Sequence, residues 1–185
     1  MHLVMPLWRW NQAREADSAA FLEQLASKPG DRDTMRDGLL LALKFQDGGL
    51  FDRLATTLAG ETQPDAELQD LLGDGYAYFG RDAEAVEAYR RALALKDEPA
   101  TRERLMLALL RLGRTEEAQA AVAPALDQLT PENAWLAYCL AEGWQAQGDH
   151  EAALRLINDS QAKLPALVDD PEFKAKKALA TKHLG

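Results

Sequence analysis

Three histidines, one cysteine and a few clustered carboxylates are the side chains of this 185-residue chain that could do chemistry. A zinc hydrolase needs two histidines one helical turn apart with an acid beside them. His2, His150 and His183 are scattered through a tail, a turn and a chain end, so none is expected to bind metal or act in catalysis. Cys139 could be a nucleophile only with a base to take its proton. It sits among Leu136, Tyr138 and Leu140 with no such base, and the expectation is a small buried hydrophobe. Asp31, Asp33, Asp37 and Gly38 faintly suggest a calcium loop. Met35 holds the third ligand position and no glutamate closes the loop, so helix capping is the better account. Gly73-Asp74-Gly75 follows a helical pattern rather than a strand and is no dinucleotide fingerprint. Glu116-Glu117 and Asp169-Asp170 occupy first turns of expected helices, where the helix dipole favours acids. The expectation is no enzyme, no cofactor and no metal.

Charge and composition narrow the partners. The net charge of −9 removes any diffuse attraction to phosphate backbones, so nucleic acid is not an expected partner. No apolar run reaches the ~18 residues of a membrane span, so no membrane insertion is expected. One cysteine permits no internal disulfide. The middle of the chain, residues 63–131, holds eight basic and thirteen acidic side chains and is the most acidic part. The N-terminal Met1–Trp10 is apolar, but Pro6 interrupts it and no basic region precedes it, so it reads as an arm rather than a signal peptide. A cytoplasmic location is expected, the alternatives being the periplasm or a domain of a larger exported or anchored protein.

The elements that hold these residues repeat. Leu72, Tyr76, Gly80, Ala85, Tyr89 and Ala92 recur as Leu105, Leu109, Gly113, Ala118, Val122 and Ala125. They recur again as Leu140, Trp144, Gly148, Ala153 and Ile157, with Pro165 closing the frame. Gly80 to Gly113 is 33 residues and Gly113 to Gly148 is 35. The glycine ends one helix and permits a tight turn into the next. The alanines allow close helix crossing, and the large residues at 3- and 4-residue spacing form one apolar face. A degenerate copy is read at Leu41, Phe45, Gly49, Leu54 and Leu58, set 31 residues before Gly80.

This pattern resembles the tetratricopeptide repeat, a helix-turn-helix unit, over about residues 34–165. The resemblance implies an all-α fold, an α-α superhelix of helical hairpins with N- and C-terminal capping helices. Residues 1–30 are expected to form an arm and capping helix, 31–165 three clear repeats and one degenerate repeat, and 166–185 a C-terminal capping helix. Helices are expected at 12–28, 34–47, 50–60, 66–79, 82–96, 100–112, 115–129, 132–147, 149–163 and 171–184. Asp82 and Thr115 are expected N-caps, and Asp169 or Asp170 should cap the last helix. Phe173, Ala180 and Leu184 should form that helix's apolar stripe. Pro124 should kink or break the helix it falls in.

In the tetratricopeptide family the first helices of the repeats line a binding groove. Carried to this sequence, the groove positions of the degenerate copy are Arg36, Leu39, Leu43, Gln46 and Asp47. The next repeat supplies Glu67, Asp70, Asp74, Ala77 and Tyr78, the following one Ala100, Glu103, Leu107, Leu110 and Arg111, and the last Trp135, Tyr138, Glu142, Gln145 and Ala146. The resemblance therefore implies a peptide-binding face built chiefly from Glu67, Asp70, Asp74, Tyr78, Glu103, Leu107, Trp135, Tyr138 and Glu142. Some family members clamp a terminal carboxylate with lysine and asparagine. The matching positions here are Asp70 and Asp74, Glu103 and Leu107, and Tyr138 and Glu142, so a free carboxylate would be repelled. The expected partner is another protein or peptide that is basic or amphipathic, and the expected role is a non-catalytic adaptor, scaffold or assembly factor. A small secretion-type chaperone, which could act as a homodimer, and the repeat domain of a larger protein are the alternatives.

Overall fold

The computed structural model describes residues 31–60 and 64–184, together with residues 16, 17 and 20. The expected arm and helix within 1–30 lie outside these, except that residues 16, 17 and 20 are helical. Among the described residues the fold is all-α, a series of antiparallel helical hairpins with no strand. The chain forms two compact units that divide after Lys96.

The first unit holds α1 (Arg32–Phe45), α2 (Gly48–Ala59), α3 (Ala66–Tyr78) and α4 (Asp82–Leu95). Its core is Met35, Leu39, Ala42, Leu50, Phe51, Leu54, Leu58, Leu68, Leu72 and Ala88, drawn from all four helices. No single hairpin could bury this set, so the two hairpins stabilise each other. The second unit holds α5 (Pro99–Arg111), α6 (Thr115–Ala121), α7 (Ala123–Asp127), α8 (Trp135–Ala146) and α9 (His150–Lys163). A 3-10 turn (Pro165–Val168) then leads into α10 (Pro171–Leu184). Leu105, Met106, Leu109, Val122, Leu136, Leu140 and Ile157 are buried there. The alanines expected at helix crossings, Ala85, Ala118 and Ala153, are fully buried.

Turn chemistry explains the period. Gly80, Gly113 and Gly148 have φ of 73°, 71° and 80°, the left-handed region that favours glycine. The residue after each donates its N–H back across the turn, as Arg81 does to Tyr76 O (2.8 Å) and Arg114 to Leu109 O (2.9 Å). This closes the Schellman geometry that ends a helix.

The degenerate repeat is a true helical hairpin, but its frame differs from the expected one. Its left-handed turn residue is Gln46 (φ 54°), not Gly49, and Gly48 and Gly49 open α2. Gln46 lies 34 residues before Gly80, so it continues the period that the glycines set. In this frame the crossing position held elsewhere by alanine is Phe51, which is fully buried. The groove positions assigned to this repeat change accordingly. Leu39 is a core residue, Gln46 is the turn, and the Asp47 carboxylate caps α2 by accepting from Leu50 N (2.9 Å).

Helix starts follow two schemes. Asp31, Asp65, Asp149 and Asp170 accept backbone N–H groups at the starts of α1, α3, α9 and α10. Asp82 and Thr115, expected as caps, are instead the first helical residues behind Arg81 and Arg114. There the arginines reach forward to Glu84 (3.0 Å) and Glu117 (2.7 Å). Thr115 is buried, and its hydroxyl accepts from Gln147 Nε2 at 2.6 Å.

Pro124 breaks its helix as its missing N–H requires, so the segment expected as one helix over 115–129 is two, α6 and α7, joined at Val122. Carbonyls around the break are satisfied by side chains. Arg102 Nη1 donates to Ala121 O (3.1 Å), and Asn133 Nδ2 donates to Ala125 O and Gln128 O (3.3 and 3.2 Å). In α10, Phe173 and Ala180 are buried as expected, but Leu184 is 51 % exposed and does not join the apolar stripe.

Candidate functional site

In the first unit the expected site residues share α3. Glu67, Asp70, Asp74 and Tyr78 fall at intervals of three and four, so they form one face of the helix. The three carboxylates are all engaged within the chain. Glu67 accepts from Arg32 Nη2 at 2.6 Å, and Asp74 accepts from the Tyr89 hydroxyl at 2.8 Å. Asp70 is half-buried. Tyr78 is 53 % exposed and meets Phe79 edge-on, leaving most of its ring open for contact.

In the second unit Glu103 and Leu107 lie on α5, and Trp135, Tyr138 and Glu142 lie on α8. These helices approach closely, because a Cβ on Gly143 would fall 2.6 Å from Leu110 Cδ2. Two clefts open beside them. The first, about 360 Å³, is lined by Pro99, Arg102, Glu103, Val122, Pro124 and Asn133 among others. The second, about 300 Å³, is lined by Trp135, Tyr138, Leu164, Leu167, Glu172 and Phe173 among others.

The C-terminal helix changes the character of the last repeat. Lys176 on α10 is only 15 % exposed, and its Nζ meets Glu142 Oε1 at 3.0 Å. The same ammonium lies 4.9 Å from the Tyr138 ring centroid, and Phe173 packs against Tyr138 at 6.3 Å. Glu142 is therefore neutralised by the chain itself, and one side of Tyr138 is covered. Trp135 keeps 38 % of its surface open at the rim of the second cleft. Glu103 is half-buried with no hydrogen bond or ion pair among the described residues. Sequence reasoning had no signal for the Lys176 contacts, since they join residues 34 apart on different elements.

Electrostatics around the other reactive groups are quiet. Burial, and then the nearby Glu142 carboxylate, push the Cys139 thiol upward. Its nucleophilic thiolate is correspondingly disfavoured at neutral pH. The Arg102 guanidinium, bonded to both Asp97 oxygens at 2.7 and 2.9 Å, holds the Asp97 carboxyl below its usual range. His150 and His183, far apart in sequence, stack with ring centroids 4.2 Å apart and an interplanar angle of 6°. This joins the start of α9 to the end of α10. No described helix is long and apolar enough to cross a membrane.

No family model matches the sequence, and no curated protein matches it. Solved structures do match. YrrB, described as a TPR protein with an unusual peptide-binding site, is 16 % identical, with a TM-score of 0.64 covering 93 % of this chain and 87 % of that one. MamA is 18 % identical, with a TM-score of 0.60 covering 88 % and 89 %. A putative kinesin light chain from Podospora anserina with nearly identical TPR-like repeats is 21 % identical, with a TM-score of 0.56 covering 84 % and 89 %. The fold is thus that of tetratricopeptide repeat proteins, as the glycine and alanine spacing implied.

Proposed function

We propose that the chain is a non-catalytic protein-interaction module, an adaptor, scaffold or assembly factor, that holds a basic or amphipathic peptide segment on the faces of its first helices. The observation that carries this reading is the second unit's pairing of a partnerless, half-buried Glu103 with an open Trp135. A carboxylate kept from full hydration gains from a cation, and exposed tryptophan is a frequent anchor of interfaces. In the first unit α3 adds the exposed Tyr78, while the carboxylates beside it are already engaged within the chain. The resemblance to YrrB, whose description names a peptide-binding site, supports a peptide as the ligand class. Nucleophilic chemistry at Cys139 has no support here, because burial disfavours its thiolate and it lines neither cleft.

The test is fluorescence anisotropy with a labelled peptide of alternating lysine and leucine and its glutamate counterpart of equal length. The full chain should bind the cationic peptide, more weakly as salt rises, and should leave the acidic one free. Equal binding of both, or of neither, contradicts the proposal.

A further inference from the structure

The two clefts of the second unit are successive copies of one another. Pro99 and Glu103 line the first, and Ala134 and Tyr138, each 35 residues later, line the second. Their chemistry differs. The first has apolar walls from Pro99, Val122 and Pro124, and the helix break at Val122 places α7 across from α5. Its positive group, Arg102, is already bonded through two nitrogens to Asp97 and through a third to Ala121 O. Glu103 is therefore the charge left to be met. It is the one half-buried carboxylate among the described residues with neither a hydrogen bond nor an ion pair. The second cleft is aromatic, with Trp135, Tyr138 and Phe173 together.

Resting on the reading that this protein captures a peptide, we infer the register of its ligand: an extended segment with a lysine or arginine in the Glu103 cleft and a large apolar side chain in the Trp135 cleft, about three residues away. The cation's aliphatic stem fits the walls of Pro99, Val122 and Pro124 while its head meets Glu103, as long cationic side chains do at apolar surfaces. The spacing comes from geometry. Packed helices lie roughly 8–10 Å apart. An extended chain advances about 3.3 Å per residue, so roughly three residues span adjacent clefts. A partner of this kind differs from one gripped by its terminal carboxylate, which Glu103 would repel.

A random peptide library displayed on phage, panned on the full chain and on its Glu103→Gln variant, tests this. Peptides enriched on the full chain should share a lysine or arginine with a large apolar residue two to four positions away. On Glu103→Gln the preference for the cation should fall about tenfold, the worth of one charge-assisted contact, while the apolar preference stays. Circular dichroism should show the variant folded, since glutamine matches glutamate in volume. An apolar consensus without a cation, other spacing, or a cation preference that survives Glu103→Gln overturns the register and leaves peptide capture standing. No enrichment over an unrelated protein overturns both.

Discussion

Replacing Gly75 with alanine should destabilise the first unit by roughly 1–2 kcal/mol, an unusual result for a helix interior. Glycine-to-alanine changes there normally stabilise by about 1 kcal/mol, because alanine loses less backbone freedom. Here a Cβ on Gly75 would run into the Phe51 ring. That ring cannot step aside. It is fully buried, with Tyr76 edge-on at 5.0 Å and Phe79 at 5.2 Å. Overpacking a rigid core site costs about 1–3 kcal/mol and occasionally more, which outweighs the helix gain. Phe51 stands where the other repeats place alanine, so Gly75 supplies the room that the missing small residue would have given. Denaturant titration checks the claim through a double-mutant cycle. In a Phe51→Ala background, itself lowered by about 3–5 kcal/mol, Gly75→Ala should turn neutral or mildly stabilising. A destabilisation that persists there would point to some other cause.

Trp135→Ala should weaken binding of a cationic amphipathic peptide by about 30-fold or more, the scale of an interface hot spot. The indole is the large open side chain of the second cleft, and truncation removes its contact area together with its attraction for a cation. Stability should change little, because Trp135 is over one-third exposed and its side chain makes no hydrogen bond among the described residues. Trp135→Phe should restore most of the affinity, since an aromatic face remains. Anisotropy on both variants, beside thermal melts, separates lost affinity from lost fold. Unchanged affinity in Trp135→Ala would remove the second cleft from the site.

The repeat architecture was legible because it rests on backbone rules. A left-handed turn every 33 to 35 residues needs glycine, close crossings need alanine, and Pro124 cannot continue a helix, so each left a mark in the sequence. The first hairpin was misframed because Gln46 takes the left-handed turn at a strain cost of about 1–2 kcal/mol, while the tandem glycines nearby imitate the signal. Capping at α4 and α6 was missed because the Schellman turn fixes where the next helix begins, ahead of the preference of aspartate or threonine for the cap.

The site was legible in outline only. Periodicity places Glu67, Asp70, Asp74, Glu103 and Glu142 on first helices, but it cannot say which charges the protein itself satisfies. Arg32, Tyr89 and Lys176 come from other elements and engage Glu67, Asp74 and Glu142. Only tertiary structure singles out Glu103. The net charge of −9 thus overstates the attraction available to a partner. Exposed pairs such as Arg32–Glu67 contribute at most about 1 kcal/mol to stability, yet they lower the charge on that face.

The most direct measurement is a titration of the isotopically labelled full chain with the lysine–leucine peptide, followed by amide chemical shifts. Perturbations are expected in the second unit, along α5 and at the start of α8, centred on Glu103, Leu107 and Trp135, with the exposed residues of the second helices α2, α4 and α9 unmoved. Perturbations confined to those second helices, or to α10 alone, would contradict the proposed site.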